Sequence, residues 1–140
     1  MLITLDFETY YSPQFSLTKM STMEYVQDEQ FKVWGVGIKI GDGPTEWYGE
    51  DETETFLNIL DWPSIDLVCH NTPFDAYILT QYYGLVPRMY IDTAAMSRGL
   101  YPGESARLKD VATRLFPDDE SMRKGDELVT AKGVRDLPPD

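Results

Sequence analysis

Two acidic residues near the N-terminus have the types and spacing that metal-dependent chemistry needs. Asp6 and Glu8 close an apolar run, Leu2-Ile3-Thr4-Leu5, which is typical of a β-strand. Residues two apart in a strand project from the same face, so the two carboxylates are expected to converge. Converging carboxylates are costly unless a cation lies between them, and Mg²⁺ and Mn²⁺ prefer such oxygen ligands. The alternative for this short pattern alone is a solvated strand end.

A second candidate motif lies at residues 70–75, with the sequence HNTPFD. It follows a short apolar segment that predicts a buried strand, and Asn71 and Pro73 suit the start of a helix. Asp75 would then lie in the first helical turn beside the end of that strand, where α/β sheets bind ligands. Asp6, Glu8 and Asp75 are therefore expected to share one metal cluster. The alternative is that Asp75 only interacts favourably with the helix dipole.

The elements that must position these acids follow from hydrophobic periodicity and turn residues. The predicted strands after the first are residues 31–40, 45–48, 66–70 and 90–93. The predicted helices are residues 50–60, 71–83 (with Gly84 as its stop) and 108–116, and residues 10–19 and 117–127 are predicted to be loops. A three-stranded antiparallel meander followed by alternating helices and strands predicts an α/β fold, with a mixed five-stranded sheet flanked by helices.

The composition excludes several classes of protein. The 140 residues suit one domain with a real core, and the single cysteine, Cys69, excludes an internal disulfide or a cysteine-based zinc framework. Because Cys69 lies in an apolar run, it is predicted to be a buried structural thiol. There is no apolar run of membrane-spanning length and no signal-peptide pattern, so a cytoplasmic protein without membrane contact is expected.

The charge of the chain is strongly negative and uneven. A formal net charge of −12 argues against a free-standing nucleic-acid binder. Residues 1–87 hold three lysines and fourteen acids, whereas residues 88–140 hold nine basic and ten acidic residues. The basic residues of the second part either touch phosphates or form a scattered solvated surface. An acidic enzyme acting on a polyanion would need bound metal and a basic partner surface, so we expect the chain to belong to something larger.

With both motifs in view, the chain resembles the DEDD superfamily of 3′–5′ exonucleases, which have the ribonuclease H-like fold. Residues 6–9 match the first family motif, D-x-E-T, and residues 70–75 match the second, H-N-x-x-F-D. Asp92-Thr93 and residues 108–112 are similar to further family landmarks that are not metal ligands. Residues 15–28 and 33–38 most resemble the proofreading exonuclease domain of bacteriophage-type DNA polymerases.

The resemblance implies a role for each matching residue. Asp6 would bridge two divalent cations, Mg²⁺ or Mn²⁺, Glu8 would bind the cation that holds the attacking water, and Asp75 would anchor the second cation site. Two such cations activate a water and stabilise the leaving 3′ oxygen.

The resemblance also implies a substrate and a cellular setting. Thr9 would contact the 3′-terminal nucleotide, while Asn71 and Phe74 would help form the pocket for the last bases. Stacking on Phe74 would be tolerant of sequence, as proofreading requires, although Phe74 is equally well explained as a residue buried under its helix. The expected partners are the 3′ end of single-stranded DNA and the polymerase portion of the same longer chain, in a bacterial or phage-infected cytoplasm.

One part of the family pattern is missing from these residues. The family has a fourth carboxylate preceded by a general base, as Y-x-x-x-D or H-x-x-x-x-D. The first pattern does not occur here, and the second occurs only as His70 to Asp75, inside the second motif. His70 is the lone histidine and is expected to hydrogen-bond near the strand end rather than act as an acid or base.

Three explanations fit the missing motif. Residues 1–140 are expected to be a single exonuclease-like domain, truncated at the C-terminal Pro138-Pro139-Asp140. Otherwise a partner supplies the carboxylate, or the domain is an inactive relative. The predicted function is a metal-dependent 3′–5′ proofreading exonuclease, weakly active or inactive in this form. The alternatives are a non-catalytic nucleic-acid-binding or scaffold module, and an exoribonuclease.

Overall fold

A mixed β-sheet organises the protein. The computed structural model describes residues 1–122 and 132–136. Its strands are Leu2–Thr9 (β1), Val33–Ile40 (β2), Thr45–Gly49 (β3), Asp66–Cys69 (β4) and Met89–Asp92 (β5). The order across the sheet is β3-β2-β1-β4-β5. β1, β2 and β3 pair antiparallel, while β1 with β4 and β4 with β5 pair parallel. The five-stranded mixed sheet predicted from the sequence is confirmed for the described residues.

Strand β1 lies at the centre of the sheet and alternates strictly between its two faces. Ile3, Leu5 and Phe7 are at most 2% exposed and belong to the main core. Asp6 is exposed and Glu8 is half-buried, because both lie on the opposite face. The alternation therefore anchors the strand through its apolar residues and presents its two acids together.

The helices lie between and after the strands. They are Thr22–Gln27 (α1), Glu50–Asn58 (α2), Thr72–Tyr77 (α3), Thr93–Leu100 (α4) and Leu108–Leu115 (α5). Short 3₁₀ turns lie at Trp62–Ser64, after α2, and at Glu120–Met122, after α5. A π-helical turn, Ile78–Tyr82, extends α3. None of the helices in the described part of the chain has the length and apolar content that a bilayer crossing needs.

Most predicted elements are confirmed, with differences at their ends. The helix predicted for residues 71–83 consists of α3 and the π-helical turn. It ends at Gly84, which has the left-handed φ of 71°. Helices α1 and α4 were not predicted. The predicted loop at 117–127 contains a 3₁₀ turn, and its residues 123–127 lie outside the described residues, as does the Pro138-Pro139-Asp140 end.

Residues 132–136 return to the beginning of the chain. The N–H of Gly133 donates to the carbonyl of Tyr11 at 2.8 Å, and the indole N–H of Trp34 donates to the carbonyl of Arg135 at 2.9 Å. The Arg135 guanidinium lies over the ring of Tyr10, with its Cζ 5.3 Å from the ring centroid. This late segment therefore packs beside the loop that follows β1.

Candidate active site

Asp75 lies directly against the strand that carries the other two acids. Because β4 runs parallel to β1, the ends of both strands lie at the same edge of the sheet, and α3 begins just after β4. Asp75 is 2% exposed, and its Oδ1 accepts a hydrogen bond from the N–H of Phe7 at 2.9 Å. Phe7 stands between Asp6 and Glu8, so the structure brings the three predicted metal ligands to one edge.

The electrostatics of Asp75 reflect this crowding. Its pKa is raised from 3.8 to about 8. Burial is the largest cause, the hydrogen bond from Phe7 opposes it, and the charges of Asp6 and Glu8 raise the pKa further. At neutral pH the Asp75 carboxyl is therefore mostly protonated. A bound cation would likewise offset the negative charge of its carboxylate.

The carboxylates of Asp6, Glu8 and Asp75 are suitable ligands for a hard divalent cation, but they are not arranged as a complete coordination site. Three carboxylates offer the oxygen ligands that Mg²⁺ and Mn²⁺ prefer. Within residues 1–122 and 132–136, no three His, Cys, Asp or Glu side chains are grouped closely enough to hold one ion. Asp75 already uses one oxygen for Phe7. The residues therefore fit a cation in type and in location, while side-chain rearrangement would be needed for shared coordination.

A cavity of about 290 Å³ opens beside the acids. Its lining includes Asp6, Glu8, Thr9, Leu17, Tyr25 and Phe74. Phe74 is half-buried, packs against the core, and lies 6.2 Å from the ring of Tyr25 between centroids. Both explanations of Phe74 thus hold in part, since its ring supports the core and also faces the cavity.

The predicted nucleotide contact Thr9 lies at the inner wall of this cavity. Thr9 is 9% exposed, and its hydroxyl hydrogen-bonds to the hydroxyl of Tyr25 at 2.8 Å. The strand pairing shifts by one residue between Glu8 and Thr9, where Glu8 pairs with Gly35 and Thr9 with Val33. This β-bulge ends the regular ladder beside the acids, as bulges near functional sites commonly do.

The structure does not place Asn71 with the other predicted site residues. Asn71 is exposed and lines a second cavity of about 670 Å³, together with His70, Arg98 and Arg107. Its backbone has the left-handed φ of 69°, and its N–H donates to Asp92 Oδ1 at 2.9 Å. Asn71 occupies the N-cap position of α3, but its side chain makes no capping hydrogen bond.

His70 and Cys69 have the structural surroundings that were predicted for them. His70 Nδ1 lies 2.8 Å from the hydroxyl of Thr93, and Nε2 lies 2.6 Å from the carbonyl of Ala106. Since a carbonyl only accepts, Nε2 carries a proton and donates it. Cys69 is 1% exposed, and burial raises the pKa of its thiol. Cys69 is therefore a buried thiol, and both ring nitrogens of His70 are engaged in hydrogen bonds.

Two residues at the site were not assigned these roles from the sequence. Tyr25 reaches the cavity from α1, whose start is marked by a capping box in which Ser21 and Glu24 bond reciprocally. That S-x-x-E pattern was the signal for the helix. Asp92 caps α4 through the N–H of Ala94 and also holds Asn71. Burial raises the pKa of Asp92, but these backbone hydrogen bonds outweigh it and lower the pKa overall.

Comparisons with known proteins identify the fold. No protein-family model matches the chain, and no curated protein matches it. RNase D of Trypanosoma brucei has a TM-score of 0.65 at 16% identity, covering 99% of this chain and 49% of that one. NrnC of Brucella melitensis has a TM-score of 0.59 at 19% identity, covering 89% of this chain and 56% of that one. RNase D of Escherichia coli, an exoribonuclease, has a TM-score of 0.53 at 17% identity, covering 88% of this chain and 30% of that one.

At such low identity the likeness to these structures shows a shared fold. The predicted ribonuclease H-like α/β fold is therefore confirmed. The chain spans about half the length of NrnC and of the trypanosomal RNase D. Structures of NrnC contain Mg²⁺ or pGG, and one of the trypanosomal RNase D contains the RNA U12. None of these neighbours is a polymerase domain, so they do not support the expected relation to phage proofreading domains.

Proposed function

We propose that this chain is a divalent-cation-dependent 3′–5′ exonuclease domain that acts on single-stranded nucleic acid. The observation that carries the proposal is the buried carboxyl of Asp75, bonded to the peptide N–H between Asp6 and Glu8. Ionising a buried carboxyl beside two further acids is costly, and a raised pKa of this kind is typical of functional sites.

In this proposal the chain binds and orients the 3′ end. Asp6, Glu8 and Asp75 would hold Mg²⁺ or Mn²⁺, which when bound supplies an activated water and stabilises the leaving oxygen. Thr9 and Phe74 would hold the terminal nucleotide in the cavity beside the acids. Water would add to the terminal phosphodiester phosphorus, and the P–O3′ bond would break. The products are a nucleoside 5′-monophosphate and a strand one nucleotide shorter.

The cavity that Asn71 lines suits the part of the nucleic-acid strand that precedes the 3′-terminal nucleotide. Arg98 and Arg107 line it beside Asn71, and guanidinium groups bind phosphates well. Asn71 would therefore act upstream of the terminal nucleotide, rather than in the cavity that Phe74 lines. The positive charges of Arg98 and Arg107 would offset part of the repulsion between a polyanion and a chain of net charge −12.

Two substrates have specific support. The resemblance of residues 15–28 and 33–38 favours DNA, in a proofreading domain joined to a polymerase. The exoribonuclease neighbours favour RNA. Single-stranded DNA and RNA of the same base order, labelled at the 5′ end, therefore belong in the same assay.

The test is single-turnover cleavage with protein in excess and Mn²⁺ present. We expect slow shortening from the 3′ end, which Asp6→Ala abolishes. The rate is expected to be low, because these residues lack the fourth carboxylate of the family pattern. If no shortening exceeds that of Asp6→Ala while Mn²⁺-dependent nucleotide binding persists, the chain is a non-catalytic binding module and the exonuclease proposal is wrong.

A further inference from the structure

Tyr25 is held rigidly at the wall of the cavity beside the acids. It is 2% exposed, its ring stacks on Phe15 at 4.6 Å between centroids, and it meets the ring of Phe31 edge-on at 5.4 Å. Its hydroxyl contacts the hydroxyl of Thr9 at 2.8 Å and the carbonyl oxygen of Tyr10. Rings packed on two sides leave the phenol little freedom, so its hydroxyl position is set by the fold.

The two contacts of this hydroxyl determine the direction of both hydrogen bonds. A carbonyl oxygen only accepts, so the single proton of Tyr25 is donated to Tyr10. The contact between Tyr25 and Thr9 must then use the proton of Thr9. Burial, the largest cause, raises the pKa of Tyr25, while the hydrogen bond with Thr9 opposes it, so the phenol keeps its proton at neutral pH.

The consequence for Thr9 is that its hydroxyl has no proton left to offer. A hydroxyl oxygen carries two lone pairs besides its single proton. With the proton given to Tyr25, Thr9 can only accept a hydrogen bond from a ligand in the cavity that both residues line. Thr9 directly follows Glu8, so a donor that meets it lies beside the acids.

We propose that Tyr25 is a positioning residue that commits Thr9 to accept a hydrogen bond from a sugar hydroxyl of the 3′-terminal nucleotide. The proposal rests on the function proposed above and adds to it the group that is recognised. A sugar hydroxyl is the donor that a 3′-terminal nucleotide carries whatever its base, which suits sequence-independent removal. A 3′-phosphate offers only acceptors at neutral pH and would meet the lone pairs of Thr9 and the nearby carboxylates.

The experiment is calorimetric binding in Mn²⁺ of four adenosine 5′-monophosphates that differ only in the sugar. They are the ribonucleotide, the 2′-deoxy, the 3′-deoxy and the 2′,3′-dideoxy forms. We expect the dideoxy form to bind roughly 3- to 10-fold more weakly than the form that retains the recognised hydroxyl, as for one hydrogen bond. The 2′-deoxy and 3′-deoxy forms show whether the recognised hydroxyl is the 3′-OH or the 2′-OH.

Matched variants connect this preference to the two residues. Thr9→Val removes the hydroxyl at nearly constant size and should abolish the preference, whereas Thr9→Ser should retain it. Tyr25→Phe keeps the ring but frees the proton of Thr9, and should reduce the preference. Tyr48→Phe is the control, because the Tyr48 hydroxyl bonds to Glu46 at 2.7 Å and does not line this cavity.

The outcomes separate this proposal from the proposed function. If Thr9→Val and Tyr25→Phe keep the wild-type preference, the positioning role is wrong and the exonuclease proposal stands. If the wild type binds none of the four nucleotides in Mn²⁺, both are wrong. Thermal unfolding reports whether each variant is folded, and if Tyr25→Phe is not, the comparison of Thr9→Val with Thr9→Ser decides.

Discussion

At the scale of single residues, the main feature of the site is a buried acid, Asp75, close to two further acids, Asp6 and Glu8. Asp75 is buried and accepts a hydrogen bond from the N–H of Phe7, the residue between Asp6 and Glu8 in the sequence. The sequence motifs were sufficient to predict that Asp75 lies beside the strand that carries Asp6 and Glu8, but within the described residues the three side chains are not grouped closely enough to hold one ion. The motifs could not show that Asp75 bonds to the backbone of β1, because that contact joins residues 68 positions apart.

The raised pKa of Asp75 leads to a prediction about stability. The folded pKa is about 8 and the ordinary value is 3.8, so between these values the folded chain holds a proton that the unfolded chain has released. Stability from this group is therefore fully present below the ordinary pKa and is lost as the pH rises towards the folded pKa. In the absence of metal, the free energy of unfolding should fall from pH 5 to pH 8.

Asp75→Asn isolates this effect, because the amide is uncharged at every pH in that range. Urea unfolding at pH 5 and pH 8 should show a smaller decrease for Asp75→Asn than for the wild type. Acids that do not interact with Asp75 contribute equally to both proteins, so the difference between the two slopes reports Asp75 together with its coupling to Asp6 and Glu8. Equal slopes would show that Asp75 is ionised in the fold at neutral pH.

At the scale of elements, the pairing of β1 with β2 positions the first two acids. Gly35 pairs with Glu8 and is the residue next to the β-bulge. A Cβ at Gly35 would lie 2.4 Å from the Trp47 side chain and 2.4 Å from the Tyr48 carbonyl oxygen. The carbonyl belongs to the neighbouring strand, so the clash cannot be relieved by side-chain rotation alone.

Gly35→Ala should therefore destabilise the protein by about 1–3 kcal/mol, the usual range for overpacking, in urea unfolding. Gly37→Ala is the matched control two residues along the same strand. A Cβ at Gly37 would have the carbonyl oxygen of Asp6 as its nearest neighbour, at 3.9 Å, which is ordinary contact. Similar stabilities for the two variants would contradict the close packing of β2 against β3 at Gly35.

Two of the helices were not predicted from the sequence. Helix α1 has only six residues, too few for a clear apolar period, whereas α4 has eight, the same length as the predicted α5. Both are instead identified by their caps, Ser21 with Glu24 for α1 and Asp92 for α4. The longer strands, whose alternation is supported by several residues, were predicted to within a few positions.

At the scale of the whole molecule, the order of strands and helices was enough to predict the fold, but the substrate was not predictable. The motifs specify oxygen ligands for a cation, and these serve DNA and RNA cleavage equally. The proposed recognition of the sugar depends on the cavity that β1, α1 and α3 form together. Tyr25, Thr9 and Phe74 meet there only after folding, so their arrangement could not be inferred from local sequence. The same holds for Asn71, which its left-handed turn places at the second cavity.

The net charge connects the site to the whole chain. At −12 the protein repels a polyanion, so in the proposed function nucleotide binding depends on cations held at the acidic edge. The central claim is therefore that Asp6, Glu8 and Asp75 bind a divalent cation together, although their side chains must rearrange to do so.

Calorimetric titration with Mn²⁺ tests this claim most directly. Wild type, Asp6→Asn and Asp75→Asn are compared with Asp42→Asn, a control that changes an exposed acid in the turn between β2 and β3. The account predicts that Asp6→Asn and Asp75→Asn each weaken Mn²⁺ affinity by about tenfold or more, while Asp42→Asn binds like the wild type. Equal Mn²⁺ affinity in all four proteins would contradict it.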